Sequence, residues 1–277
     1  MGLRVNTNVI SISAQRNLSA VTRRLEGNYT RLSSGLRIAS AADDPAGLGI
    51  SERMRSQLKS LGQAARNGQD GVSLVQTAEG ALSEATSSLA RMRELAIGAA
   101  NGTLNDQDRA TLDAEFQALS LEIGRIADTT TFNGVSLLND ASGTIDIQIG
   151  TELGETITLN LVDTTLTGLG LVSSATPFDL TTVTNATGSL NTLDQAIDTI
   201  SSFRGDLGAT QNRLSSAIRS IQNAEENLAA AQSRIRDVDI AKETADLTRN
   251  SILQQAAVSV LSQANLQPQI ALGLLRG

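Results

Sequence analysis

From Asn250 to Leu275 no side chain carries a charge, yet Ile252, Leu253, Ala256, Ala257, Val260, Leu261 and Ala264 recur at intervals of three and four, with Gln and Ser between them. That spacing is the period of a helix, and a helix so poor in charge is expected to be enclosed by other helices. The opposite end repeats the design. Val5 to Gln15 is uncharged, and the ladder Ile10, Ala14, Leu18, Val21, Leu25, Tyr29, Leu32, Leu36 steps by threes and fours. A chain whose two ends are its most adhesive helices is expected to use them for assembly.

Between the ends, Ser40 to Gly47 reads as a break, with Asp44 placed before a Pro suited to a first helical turn. The next seam runs Met54, Leu58, Leu61, Ala65, Val72, Val75, Leu82, Leu89, Met92, Leu95. Gly62, Gly68, Gly71 and Gly80 weaken that helix by roughly 1 kcal/mol each, so close packing or a bend is expected there. Asn101-Gly102 marks a turn. Asn105, with Asp108 three positions on, predicts an N-cap for a helix carrying Leu112, Phe116, Leu119, Ile123 and Ile126.

The character changes at Thr129, where Thr, Ser and Gly become frequent. Ile145, Ile147, Ile149 and Ile157, Leu159, Leu161 alternate with polar residues across Gly150 to Glu155, predicting a β-hairpin. Residues 163–190 read as loop with a short strand. Helical spacing returns at Leu193 and holds to Val238; a helix over 191–235 would be roughly 65 Å long. The expected fold is mainly α: a long coiled-coil-like helical rod of paired N- and C-terminal segments, with a small β-hairpin region in the middle.

Composition narrows the function. Aromatic residues make up 2% of 277 positions, too few for an ordinary globular interior but suited to helix seams. The absence of His and Cys removes imidazole and thiolate from any catalytic or metal-binding scheme, so no catalytic residue, cofactor or metal site is expected. Carboxylate pairs remain at Asp43/Asp44 and Glu225/Glu226, but neighbours on a helix point about 100° apart and make a poor acid/base dyad. The net charge of −7 is unevenly spread: residues 1–42 hold six arginines against Glu26, whereas Ile126 to Phe203 holds nine acidic residues and no basic one. The arginines are scattered over helix faces without stacking aromatics, which argues against nucleic acid. No apolar run of about 18 residues occurs, so no membrane insertion is expected. A self-assembling structural protein and a secreted helical adaptor or effector both fit, and the two uncharged ends favour assembly.

Particular motifs go further. The run Leu32 to Gly47 (LSSGLRIASAADDPAG) closely resembles the N-terminal signature of bacterial flagellins, as do Asn67 to Gly71 (NGQDG), Met92 to Ala96 (MRELA) and Thr131 to Val135 (TFNGV). Near the other end, Asn223 to Asn227 (NAEEN), Ser233 to Asp239 (SRIRDVD) and Ala264 to Gln269 (ANLQPQ) resemble the C-terminal signature, in order. The resemblance covers roughly residues 1–140 and 190–277, and the hook–filament junction protein is the relative most easily confused with it.

The resemblance implies a subunit that leaves the cell uncleaved through the flagellar type III export system and polymerises into the extracellular filament. Its implied partners are other copies of itself, the export apparatus and an export chaperone, the filament cap and junction proteins, and the vertebrate flagellin-sensing Toll-like receptor. The implied organisation is an N-terminal inner-core helix (1–42), the first part of a helical shell (43–140), a short hairpin and variable region (141–190), the long C-terminal shell helix (191–235) and a C-terminal inner-core helix (236–277). The assembly seam is placed on Leu18, Val21, Leu25, Leu32, Leu36, Ile252, Leu253, Val260 and Leu261. Receptor determinants of the family match Arg91, Leu95 and Glu115, where Leu95 also reads as seam packing and Arg91 as a contact between subunits.

Overall fold

The computed structural model describes residues 7–140, 143–172 and 178–274, with side chains through Gln267. Five helices carry it: α1 (Val9–Ser34), α2 (Pro45–Ala99), α3 (Asp106–Thr129), α4 (Val183–Arg236) and α5 (Ile240–Leu274). Two antiparallel pairs lie between α3 and α4: β1 (Thr131–Phe132) with β2 (Val135–Ser136), and β3 (Thr144–Gln148) with β4 (Thr156–Asn160).

The helix ends follow from local chemistry. Asn8 caps α1 by accepting from the Ser11 N–H at 3.0 Å, and α1 stops at Gly35, whose φ of 71° lies in the left-handed region. Asp44 Oδ1 accepts from the N–H groups of Ala46 and Gly47, with Pro45 in the first position of α2, where a missing N–H costs nothing. Asp43 Oδ2 holds the preceding turn through Ala39 and Ser40. Both carboxylates that might have formed a pair are therefore spent on backbone. Asn105 caps α3, accepting from Asp108 N at 2.8 Å. The buried Arg109 donates to the carbonyls of Ala99 and Asn101, satisfying oxygens at the end of α2.

The chain divides into two compact units, Met1–Leu58 with Glu226–Gly277, and Lys59–Glu225. In the second, α4 buries Ala186, Ser189, Leu193, Ala196, Ile200, Phe203, Leu207, Thr210 and Leu214, a strict alternation of three and four. These meet Val75, Leu82, Leu89 and Met92 of α2 and Phe116 and Ile123 of α3 in one core. Each large apolar side chain buried there contributes about 1.5–3 kcal/mol.

The β3–β4 hairpin has the expected register, with Ile145 opposite Leu159 and Ile147 opposite Ile157. It sits close to α2, where a Cβ on Gly71 would lie 2.7 Å from Ile147 Cδ1; α4 also approaches α2 closely, since a Cβ on Gly68 would lie 2.9 Å from Ile218 Cγ1. Close packing therefore accounts for two of the four glycines in the Met54–Leu95 seam of α2. Gly80 has open space around it and Gly62 only ordinary contacts, so packing does not account for them.

Three sequence expectations need correction. The region 163–190 contains no strand among its described residues, and α4 begins at Val183. Thr182 caps α4: its hydroxyl accepts from Asn185 N at 3.1 Å and its carbonyl from Ala186 N at 2.9 Å. Asp179 braces the entry through Thr181 and Asn185; burial pushes its pKa up, but these hydrogen bonds outweigh that and leave it below the usual Asp value. Thr131 to Val135 forms a tight hairpin, β1–β2, around Asn133 (φ 50°) and Gly134 (φ 81°), a turn that Asn-Gly favours. Lastly, Tyr29 is exposed and Asn28 takes the buried place between Leu25 and Leu32.

Candidate functional site

Helices α1 and α5 pack together antiparallel: Asn8 reaches Ala264, while twenty residues along α1 Asn28 reaches Glu243 and Asn250. The contact at Asn28 is a buried polar network. Its amide nitrogen donates to Glu243 Oε1 at 2.6 Å and its oxygen accepts from Asn250 Nδ2 at 2.8 Å. Arg31 Nη1 lies 3.6 Å from the same Glu243 carboxylate, which is itself buried. An amide inside an apolar seam is a device for fixing register. Where the two chain halves meet near Gly35, Val238 N donates to Gly35 O and Arg37 N to Arg236 O, and Arg236 Nη1 donates to Glu52 Oε1 at 2.5 Å.

The helix pair buries little apolar surface. Of the nine proposed seam residues Leu25 is buried, and Leu18, Val21, Leu32, Leu36 and Leu261 are half-buried. Ile252, Leu253 and Val260 face outward, at 61%, 42% and 56% exposure. Val9, Ile10, Ile12, Val258 and Leu266 are also exposed. At about 100° per residue, the six exposed large apolar residues of α5, Ile240 among them, spread over more than half of its circumference. A helix that is apolar on most sides belongs in an interior, and one partner helix cannot supply it.

The second cluster lies on α2 and α3. Arg91 Nε donates to Glu115 Oε1 at 2.9 Å and its Nη1 to Glu94 Oε2 at 2.6 Å. The Glu115 and then the Glu94 carboxylate hold the Arg91 pKa above its ordinary value. All three side chains are exposed. Leu95, one turn beyond Arg91, points instead into the core at 4% exposure. The structure thus joins Arg91 to Glu115 and leaves Leu95 beneath the surface.

Asn28, Glu243, Asn250 and Asn8 were not among the expected site residues. Asn28 continues the step from Leu25 to Leu32 through a polar residue, which is its signal in the sequence. Glu243 and Asn250 lie one helical heptad apart, a spacing with meaning only once Asn28 is known to face them.

A chain that has uncovered apolar helices as well as a separately cored unit has the features of a self-assembling structural protein. Residues 5–142 match the bacterial flagellin N-terminal helical region and residues 190–275 the bacterial flagellin C-terminal helical region. The chain is 48% identical over 272 residues to a flagellin of Halalkalibacterium halodurans, covering 98% of this chain and 99% of the relative. It is 41% identical to a flagellin of Bacillus subtilis, covering 99% of this chain and all of that one. A crystal structure of Bacillus cereus flagellin matches at 36% identity with a TM-score of 0.50, over 60% of this chain and 94% of that one. The chain belongs to the bacterial flagellin family, and its function is that of a structural subunit of the flagellar filament.

Proposed function

We propose that this subunit polymerises by laying the exposed faces of α1 and α5 against those of several neighbouring copies, which makes 1–42 and 236–277 the inner-core segments of the filament. The observation that carries this is the spread of uncovered apolar residues around α5. Ordering a residue costs about 1–2 kcal/mol, and a helix pair that buries so few of its side chains recovers that cost only when other copies cover the rest. Folding of the ends is thereby coupled to incorporation. Residues 43–140 and 191–235 form the shell, and 141–190 the variable region. Deleting Asn250 to Gly277 is expected to leave a helical core that never forms fibres in seeded electron microscopy; fibres from that truncation would contradict the reading.

Membership of the family supports release from the cell by the flagellar export apparatus with an export chaperone, and contacts with cap and junction proteins at the filament ends. It also supports recognition of the free subunit by the vertebrate flagellin-sensing Toll-like receptor. In that role Arg91 and Glu115 present the charged surface, and Leu95 holds α2 in place beneath it. A cell reporter assay is expected to lose most of its response with Arg91→Ala and Glu115→Ala; an unchanged response would remove the receptor role.

A further inference from the structure

Helix α5 contains a flaw that α1 repairs. Pro268 lies inside α5, which runs from Ile240 to Leu274, and proline has no N–H to give the carbonyl four residues back. That carbonyl belongs to Ala264, a residue only 4% exposed, where water is a poor substitute. Asn8 Nδ2 donates to this very oxygen at 2.8 Å. Its other amide atom is also engaged: Oδ1 accepts from Ser11 N at 3.0 Å and caps α1. Beside it, Ser11 Oγ and Asn265 Oδ1 are 2.7 Å apart.

We infer that Asn8 is the positioning residue that sets the register of the terminal helix pair, its amide joining the N-cap of α1 to the carbonyl that Pro268 leaves open in α5. This rests on the proposal that the pair is the assembly element. The arrangement is selective because both halves of one amide are needed. Asp caps a helix as well as Asn does, but its carboxylate cannot donate and would face the Ala264 carbonyl with negative charge. The gap exists at one place along α5, so sliding the helices by a turn leaves a buried acceptor without a donor, which is costly. Asn28 adds a second polar contact farther along the pair but accepts and donates between side chains, where small shifts are more easily followed.

The test uses full-length protein and four variants: Asn8→Asp, Asn8→Ala, Pro268→Ala, and Asn8→Asp with Pro268→Ala. The readout is the critical concentration for seeded filament growth. Asn8→Asp, which retains the cap, is expected to raise it about tenfold. Pro268→Ala restores an N–H to α5, so the double variant is expected to return to within about threefold of Pro268→Ala alone. Asn8→Ala, lacking both cap and donor, is likewise expected to raise the critical concentration. An unchanged critical concentration in Asn8→Asp would overturn the inference, and so would a defect in Asn8→Asp that Pro268→Ala fails to relieve. Failure of the unmodified chain to grow filaments would instead strike at the assembly reading, which keeps the two failures apart.

Discussion

The unit Lys59–Glu225 and the α1–α5 pair are written with the same residues at the same helical spacing, yet the first encloses its apolar side chains and the second displays them. In the first, α2, α3, α4 and the β3–β4 hairpin supply a third and fourth wall, so that Leu82, Leu89, Met92 and Phe116 are fully buried. In the second, α1 and α5 face each other, and among the described residues each leans chiefly on the other. Periodicity therefore specifies that a face will be covered, while the number of walls in the chain decides whether it is covered by the chain itself. Register is also handled differently. The enclosed unit relies on interlocking shapes, such as Ile147 over Gly71; the terminal pair, with few shapes to interlock, relies on the amides of Asn8 and Asn28.

The comparison predicts separable failures. The largest concerns the core: Phe116→Ala, which also loses the Phe178 ring at 4.8 Å, is expected to destabilise the enclosed unit by about 3–5 kcal/mol, read by thermal unfolding of the soluble monomer. Next, Ile252→Asp with Val260→Asp is expected to abolish filament growth while leaving that melting transition within about 2 °C of the original, because unpaired charge would be buried only in the polymer. A large drop in monomer melting would mean these side chains are already enclosed.

Smaller effects test the packing argument. Gly71→Ala places a methyl against Ile147 and is expected to cost about 1–3 kcal/mol, whereas Gly80→Ala meets nothing and is expected to gain up to about 1 kcal/mol from helix propensity. Opposite signs at two glycines of one helix would separate contact from propensity, and equal signs would deny the close approach of the hairpin.

The smallest effect is on acid sensitivity. The Arg236 hydrogen bond lowers the pKa of Glu52, and the Ser40 N–H lowers that of Asp43, from ordinary values of 4.5 and 3.8. A lowered carboxylate stabilises the fold above its unfolded pKa and gives that up as pH falls through the folded one. Stability is expected to hold from pH 7 to about 5 and decline below about 4, with a slightly shallower decline in Glu52→Gln.

Much of this architecture is written locally. The caps at Asp44 and Asn105, the alternation of Ile145 to Leu161 and the heptad from Leu193 each need only nearby residues to be read. The start of α4 was harder, because Gly188 and a run of Thr obscure a Thr182 cap and a helical step that reaches back to Ala186. The hairpin at Asn133-Gly134 is legible in its Asn-Gly pair, which favours the tight turn. The candidate site was legible in outline only. Apolar termini announce assembly, but the dependence of Ala264 on Asn8 joins residues from opposite ends of the chain, and the burial of Leu95 depends on elements packed over α2. No spacing along the sequence encodes either.

Hydrogen exchange of the full-length protein, measured as monomer and again as filament, tests the central claim most directly. Amides of α1 and α5 are expected to exchange quickly in the monomer and to become protected on polymerisation, while those of α2, α3 and α4 within Lys59–Glu225 stay protected in both. Strong protection of α1 and α5 in the free monomer would contradict the account, because the terminal pair would then be complete without its neighbours.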